Sequence, residues 1–125
     1  MAKALLVNGS PHKNGNTANA LKIIEKELRA NVVDTVWFQL DGKLVRGCIA
    51  CGRCAPSHRC AFNDDQCNEL IDKMLDADAV LIGTPVYFAG PNGALCALLD
   101  RVFFAAANFG QLLAGKPAAA IATCW

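Results

Sequence analysis

The sequence lacks any apolar run close to the roughly 20 residues that a membrane-spanning helix requires. The apolar stretch within MAKALLVNGS is too short for a signal peptide and reads as a strand. Charge is sparse: 18% of residues are charged and the formal net charge is +1, which gives no electrostatic case for nucleic acid or an anionic membrane as partner. Two nucleotide-binding signatures are missing as well. A Walker A loop needs G-x4-G-K-[ST], whereas Gly9 and Gly15 have one residue too many between them and Asn16 replaces the lysine. The dinucleotide fingerprint G-x-G-x-x-G does not occur. No repeat, linker or low-complexity segment interrupts the chain, and no side chain stands out as a catalytic general acid or base. What remains is 125 residues, 54% of them hydrophobic, enough for one core and one domain spanning 1–125.

Cysteine is abundant. There are seven, an odd number without a secretory signal, which points to a cytoplasm where thiols stay reduced and makes a disulfide framework the poorer reading. Four of them, Cys48, Cys51, Cys54 and Cys60, fall within thirteen residues as C-x2-C-x2-C-x5-C, inside a cysteine-rich insertion at about 47–67. Thiolates this dense on a glycine-containing loop suit one metal centre, and soft sulfur selects an iron–sulfur cluster or tetrahedral zinc. An unmetallated loop or a redox disulfide stays open. Gly47 and Gly52 relieve the backbone, Arg53 and Arg59 offer positive charge, and Cys67 or His58 are lesser ligand candidates. Cys96 reads as a packing residue and Cys124 as a half-exposed thiol at a strand end.

Periodicity supplies the frame. Ala4–Val7 is a continuous apolar run, as expected of a strand buried on both faces. A helix begins near Thr17 with Leu21, Ile24 and Leu28 as its stripe, and Val32–Leu40 alternates as a second strand. After Asp64, Leu70, Ile71, Met74 and Leu75 mark a second helix, and Ala79–Gly83 a third strand. The prolines and glycine of 84–91 exclude regular structure there. Leu95, Leu98, Leu99, Val102 and Phe103 stripe a third helix, and Ala118–Ala122 is a fourth strand. Alternating strands and helices imply parallel pairing through right-handed crossovers, hence a doubly wound α/β sheet in three αβα layers. Such sheets ordinarily continue with a further loop and helix, so the break after Thr123-Cys124-Trp125 reads as a C-terminal truncation.

Ligands in open α/β sheets bind beyond the carboxyl ends of the strands. The loop Ser10–Thr17 has that position and leads into a helix N-terminus, where free N–H groups and the helix dipole favour an anion. Ser10, Asn16 and Thr17 add donors, and Gly15 permits close approach. A polar turn capped by Asn16 or Thr17 is the plainer alternative.

NGSPHKNGNT together with GTPVYFAGPNGALCALLDR resembles the flavodoxin-like family of NAD(P)H-dependent FMN reductases, over nearly the whole chain from Ala4 to Ala122. The resemblance implies that Ser10, Asn16 and Thr17 hold the FMN phosphate. His12 stands where many relatives carry arginine, and an imidazole cannot make arginine's bidentate contact. Lys13 beside it supplies charge. Pro85, Val86, Tyr87, Phe88 and Gly90 would run beside the isoalloxazine ring, Asp100 and Arg101 would make structural or interface contacts, and a third flavin loop would begin at Thr123. The cysteine spacing also matches the compact motif of iron–sulfur flavoproteins, a branch of that family carrying a [4Fe–4S] cluster. The function implied is an FMN-dependent oxidoreductase moving electrons from NAD(P)H through flavin, with or without the cluster, to a small-molecule or protein acceptor, in a homo-oligomer (dimer or tetramer). The alternatives are a non-enzymatic electron carrier and a zinc-stabilised binding domain with a vestigial flavin site.

Overall fold

The computed structural model describes residues 1–124. Trp125, where the expected truncation falls, lies outside them. The apolar and alternating segments form β1 (Lys3–Asn8), β2 (Asp34–Gln39), β3 (Ala79–Pro85) and β4 (Ala118–Thr123). The amphipathic segments form α1 (Asn16–Ala30), α2 (Cys67–Asp76) and α3 (Gly93–Ala106). All strand pairs are parallel, in the order β2-β1-β3-β4. This is the flavodoxin-like doubly wound order, with its switch point between β1 and β3.

Side-chain alternation along β1 divides the core between the two faces. Leu5 and Val7 join Phe38, Leu70, Ile71, Met74, Leu98 and Val102 on the side of α2 and α3. Leu6 points the other way, toward α1, whose Ala18 and Leu21 are also fully buried. Trimming one such side chain, Leu98→Ala for instance, costs about 2–5 kcal/mol because the site collapses only partly. At Gly83 the packing on α1 is closer still: a Cβ there would stand 2.9 Å from Thr17 Cγ2 and 3.0 Å from Leu21 Cδ1. Glycine lets the first turn of α1 sit directly on β3, beside the switch point.

Several boundaries differ from the sequence reading. Strand β2 starts at Asp34, because Val32 has φ 62° and is exposed in the turn that ends α1. Strand β3 continues through Thr84 to Pro85, which pairs with Thr123 of β4. Proline is tolerated at that last position, where it need donate no further ladder bond. Leu75 and Phe103 turn out of the core, and the inner face of α3 takes Arg101 and Ala105 instead. Strand β4 is an edge, with Ala118, Ala119 and Ala120 exposed.

Candidate functional site

The loop after β1 is fixed from beneath by amide side chains. Asn8, fully buried, accepts from Ser10 N (3.1 Å) through Oδ1 and donates through Nδ2 to Gln39 Oε1 (2.8 Å) and His12 O (3.3 Å). Gln39 in turn donates to Ser10 O at 2.7 Å, and Asn92 donates to Gly9 O at 2.7 Å. Asn92 also accepts from Ala94 N, capping α3, so one residue ties that helix to the loop. A Cβ at Gly9 would lie 2.6 Å from Gly83 O, so the chain passes there as glycine only.

The loop delivers the N-terminus of α1. Gly15 occupies its N-cap position, no side chain caps it, and no acidic residue lies in its first turn. The polar-turn alternative needed a cap from Asn16 or Thr17, and neither provides one. The Thr17 hydroxyl is engaged across the cleft with Thr123 Oγ1, at 2.7 Å. Such an uncapped end presents N–H donors and a partial positive charge.

Above it lies a cleft of about 500 Å³, within the size range of ligand sites. Ser10, His12, Lys13, Asn16 and Thr17 line it from the first loop, and Pro85, Val86 and Tyr87 from the second. Asn14, Gly15, Thr123 and Cys124 complete the wall. Phe88 and Gly90 are not brought into it, and Phe88 is 91% exposed. The second loop is braced by Val86 N donating to Thr123 O (2.8 Å) and by a bridge between Val86 and Pro91.

The cysteine loop is different in kind. No helix or strand forms between β2 and α2, and the chain turns through positive φ at Ala50, Gly52 and His58. Cys48, Cys51, Cys54 and Cys60 nevertheless line one pocket, closed on its inner side by Arg101, Phe104 and Ala105. Cys54 is buried, Cys60 half-buried, and Cys48 and Cys51 exposed. The pocket holds about 20 Å³, room for about one water. A four-iron cluster therefore fits only if the exposed Cys48–Cys51 segment moves outward, and no strand or helix restrains it. Among the described residues no three His, Cys, Asp or Glu side chains converge on one metal ion.

Electrostatics distinguish the thiols. The backbone N–H of Arg53, then its side chain, lowers the Cys51 thiol below its ordinary value. Burial raises Cys54, with the neighbouring Cys60, Cys51 and Cys48 sulfurs adding to the effect. Cys67 is fully buried behind the loop and pushed up to about 12 by that burial. His58 donates from Nδ1 to the α3 carbonyl Ala105 O (3.3 Å) and is not in the pocket. Arg59 pairs with Asp72 at the surface, so its charge is directed away from the cysteines.

Cys60 is held most firmly. Asn68 accepts from its N–H (2.8 Å) and donates to its carbonyl (3.0 Å). Arg101 donates to its sulfur from Nε (3.4 Å) and Nη2 (3.5 Å). Arg101 is itself buried, ion-paired with buried Asp65, and bonded to Phe62 O (2.8 Å) and Arg46 O (3.3 Å). Burial pushes the Asp65 carboxyl up, but the hydrogen bond from Arg101 and that from Cys67 N outweigh it, leaving a net downward shift.

The sequence pattern of NADPH-dependent FMN reductases matches residues 2–125. The chain belongs to the NADPH-dependent FMN reductase family. An iron–sulfur flavoprotein of Methanocaldococcus jannaschii is 32% identical over 99 residues, covering 79% of this chain and 51% of that protein. Another, from Archaeoglobus fulgidus, is 34% identical over 99 residues, with 79% and 48% covered. The chain thus spans about half the length of these curated relatives. A solved NADH:FMN oxidoreductase in apo form shares the fold, with TM-score 0.68 at 23% identity over 99% of this chain and 59% of that one.

For this FMN reductase family chain, Asn8, Gln39, Asn92 and Asn68 were missed in the sequence as site supports, and Arg101 was expected to make structural or interface contacts without a named partner. The first three carried a readable signal: Asn8 and Gln39 end strands, and Asn92 stands at a helix N-cap. Asn68 and Arg101 sit inside helical segments and carried none.

Proposed function

We propose that this chain is the flavin-binding part of an NAD(P)H-dependent oxidoreductase that holds FMN in the cleft between β1, β3 and β4. The observation that carries the reading is the uncapped N-terminus of α1, opening on a donor-lined cleft of about 500 Å³ at the switch point of the sheet. The phosphate would meet the α1 backbone N–H groups, Ser10 and Thr17, with Lys13 supplying charge and His12 one hydrogen bond. Tyr87, beside Pro85 and Val86, would flank the ring. Bound FMN supplies hydride acceptance from NAD(P)H and release of electrons singly. The chain's own part is to bind, orient and shield it.

The four cysteines extend the reading to a [4Fe–4S] cluster. Their sulfurs line one pocket, and four cysteine thiolates are the donor set that such a cluster takes. Relatives named iron–sulfur flavoproteins support the same reading. Electrons would leave to a small-molecule or protein acceptor, from a homo-oligomer working in the reducing cytoplasm.

The test is anaerobic. The protein, reconstituted with FMN, iron and sulfide, is mixed with NADPH and with NADH while the flavin absorption is followed. Bleaching by either nucleotide is the expected result. A bound flavin reduced by dithionite but by neither nucleotide would make the protein an electron carrier. No FMN retained would end the flavin assignment.

A further inference from the structure

We infer that Arg101, locked in place by Asp65, is a positioning residue for Cys60: it fixes the sulfur toward the pocket and places a buried positive charge against the metal centre. The inference rests on the cluster reading above.

A buried arginine is rare, and this one is 2% exposed. Its fork is shared between two jobs. Asp65, with side-chain exposures of 1% and 5% for the pair, neutralises it, while Phe62 O and Arg46 O take two more of its donors. The donors left over, Nε and a second bond from Nη2, both reach Cys60 Sγ. A purely structural arginine needs no sulfur acceptor, and the two bonds grip that sulfur along one edge of the guanidinium plane. Arg101 also closes the inner wall of the pocket that the four cysteines line. The other cationic candidates do not line that inner wall: Arg59 faces Asp72, Arg46 lies over the Phe62 ring, and Arg53, over the same ring, acts on exposed Cys51.

Two consequences follow for a centre held there. Donors on a ligating sulfur, with an adjacent positive charge, favour the more negative state, so one-electron reduction becomes easier and the midpoint potential rises. Removing the donor also frees the Cys60 sulfur, although Asn68 still holds that residue's backbone, and outer-shell losses of this kind typically cost about 10–100-fold in metal affinity.

The experiment uses the full chain reconstituted anaerobically with iron and sulfide, reduced with dithionite, for wild type, Arg101→Gln and Arg101→Lys. Circular dichroism checks folding in each. Wild type should bind about four irons per chain. Arg101→Gln should lose iron to a chelator about 10–100-fold faster and show a lower midpoint potential. Arg101→Lys, which keeps the charge and loses the fork, should lose iron faster yet keep a potential near wild type. If Arg101→Gln fails to fold, Arg101→Lys decides alone: iron loss at the wild-type rate overturns the inference. Equal iron loss and equal potential in a folded Arg101→Gln also overturn it and leave the cluster reading standing. Wild type with fewer than about two irons would sink that reading and this one with it.

Discussion

The two loops that follow β1 and β2 are built in opposite ways. The first is short, held by Asn8, Gln39 and Asn92, and forced into close contact by glycines at 9 and 83. Its donors stand in place before any ligand arrives. The second is long, has no regular structure, and is anchored at one end, at Cys60, by Asn68 and Arg101. Its exposed half, Cys48 to Cys51, has few bonds to hold it. An organic ligand of fixed shape suits a preformed cradle, since ordering costs are then small. A site made of thiolates gains its shape from what it binds, because metal binding and local ordering are coupled.

The largest effect should come from the loop that depends on its ligand. Serine at Cys48, Cys51, Cys54 or Cys60 should abolish the visible iron–sulfur absorption of the reconstituted protein and leave FMN bound. Loss of FMN together with the cluster would break the division between the loops.

Next in size is the preformed loop. Ser10→Ala/Thr17→Ala should weaken FMN, since each hydrogen bond to a charged oxygen contributes about 1.5–3 kcal/mol, or roughly ten- to a hundredfold in affinity. The thermal midpoint of the free protein should shift far less. Unchanged fluorescence titration of FMN would remove the phosphate from this loop.

A smaller effect concerns acid. The Asp65 carboxyl is held below its ordinary range in the folded protein, so its contribution is complete above that range and is lost as pH falls through the folded value. Denaturant melts taken downward from pH 6 should show an acid-side loss of stability that Asp65→Asn makes shallower, the share of the likewise lowered Glu25 remaining. An identical acid limb in that variant would show that the Arg101 anchor does not govern the cysteine loop.

Thiol chemistry sharpens the contrast within that loop. Cys51, exposed and lowered by Arg53, should be alkylated first at neutral pH. Cys67, buried and pushed up to about 12, should stay unmodified until the protein unfolds. Peptide mapping of a time course reads both rates, and early labelling of Cys67 would mean that the anchored end opens too. The smallest effect is expected at Cys96: its serine variant should keep both FMN and iron, as a packing position on α3 would.

Much of the fold was legible because burial writes itself as periodicity. Leu21, Leu70, Ile71, Leu98 and Val102 fall on the inner faces where their spacing puts them. Leu75 and Phe103 were misplaced because a stripe read from spacing has a width, and the edge of that width is decided by tertiary contacts. In the site, the loop after β1 was legible since a strand, a polar loop and a helix start together announce an open helix N-terminus. The cysteine spacing was equally plain. The supports were harder to see: Arg101 was expected to make a structural or interface contact, but its partners Asp65 and Cys60 are brought to it only across the fold.

That helix joins the two regions. Its cap, Asn92, holds Gly9 of the first loop, and nine residues on, Arg101 holds Cys60 of the second. At 1.5 Å of rise per residue the two grips lie about 14 Å apart along the axis. The spacing between the cleft and the cysteines is therefore a ruler length, set by a rigid rod rather than by the loops themselves. Lengthening α3 by one residue would displace the far grip by about 1.5 Å and rotate it by about 100°, so that Arg101 would no longer face Cys60 while Asn92 still held Gly9.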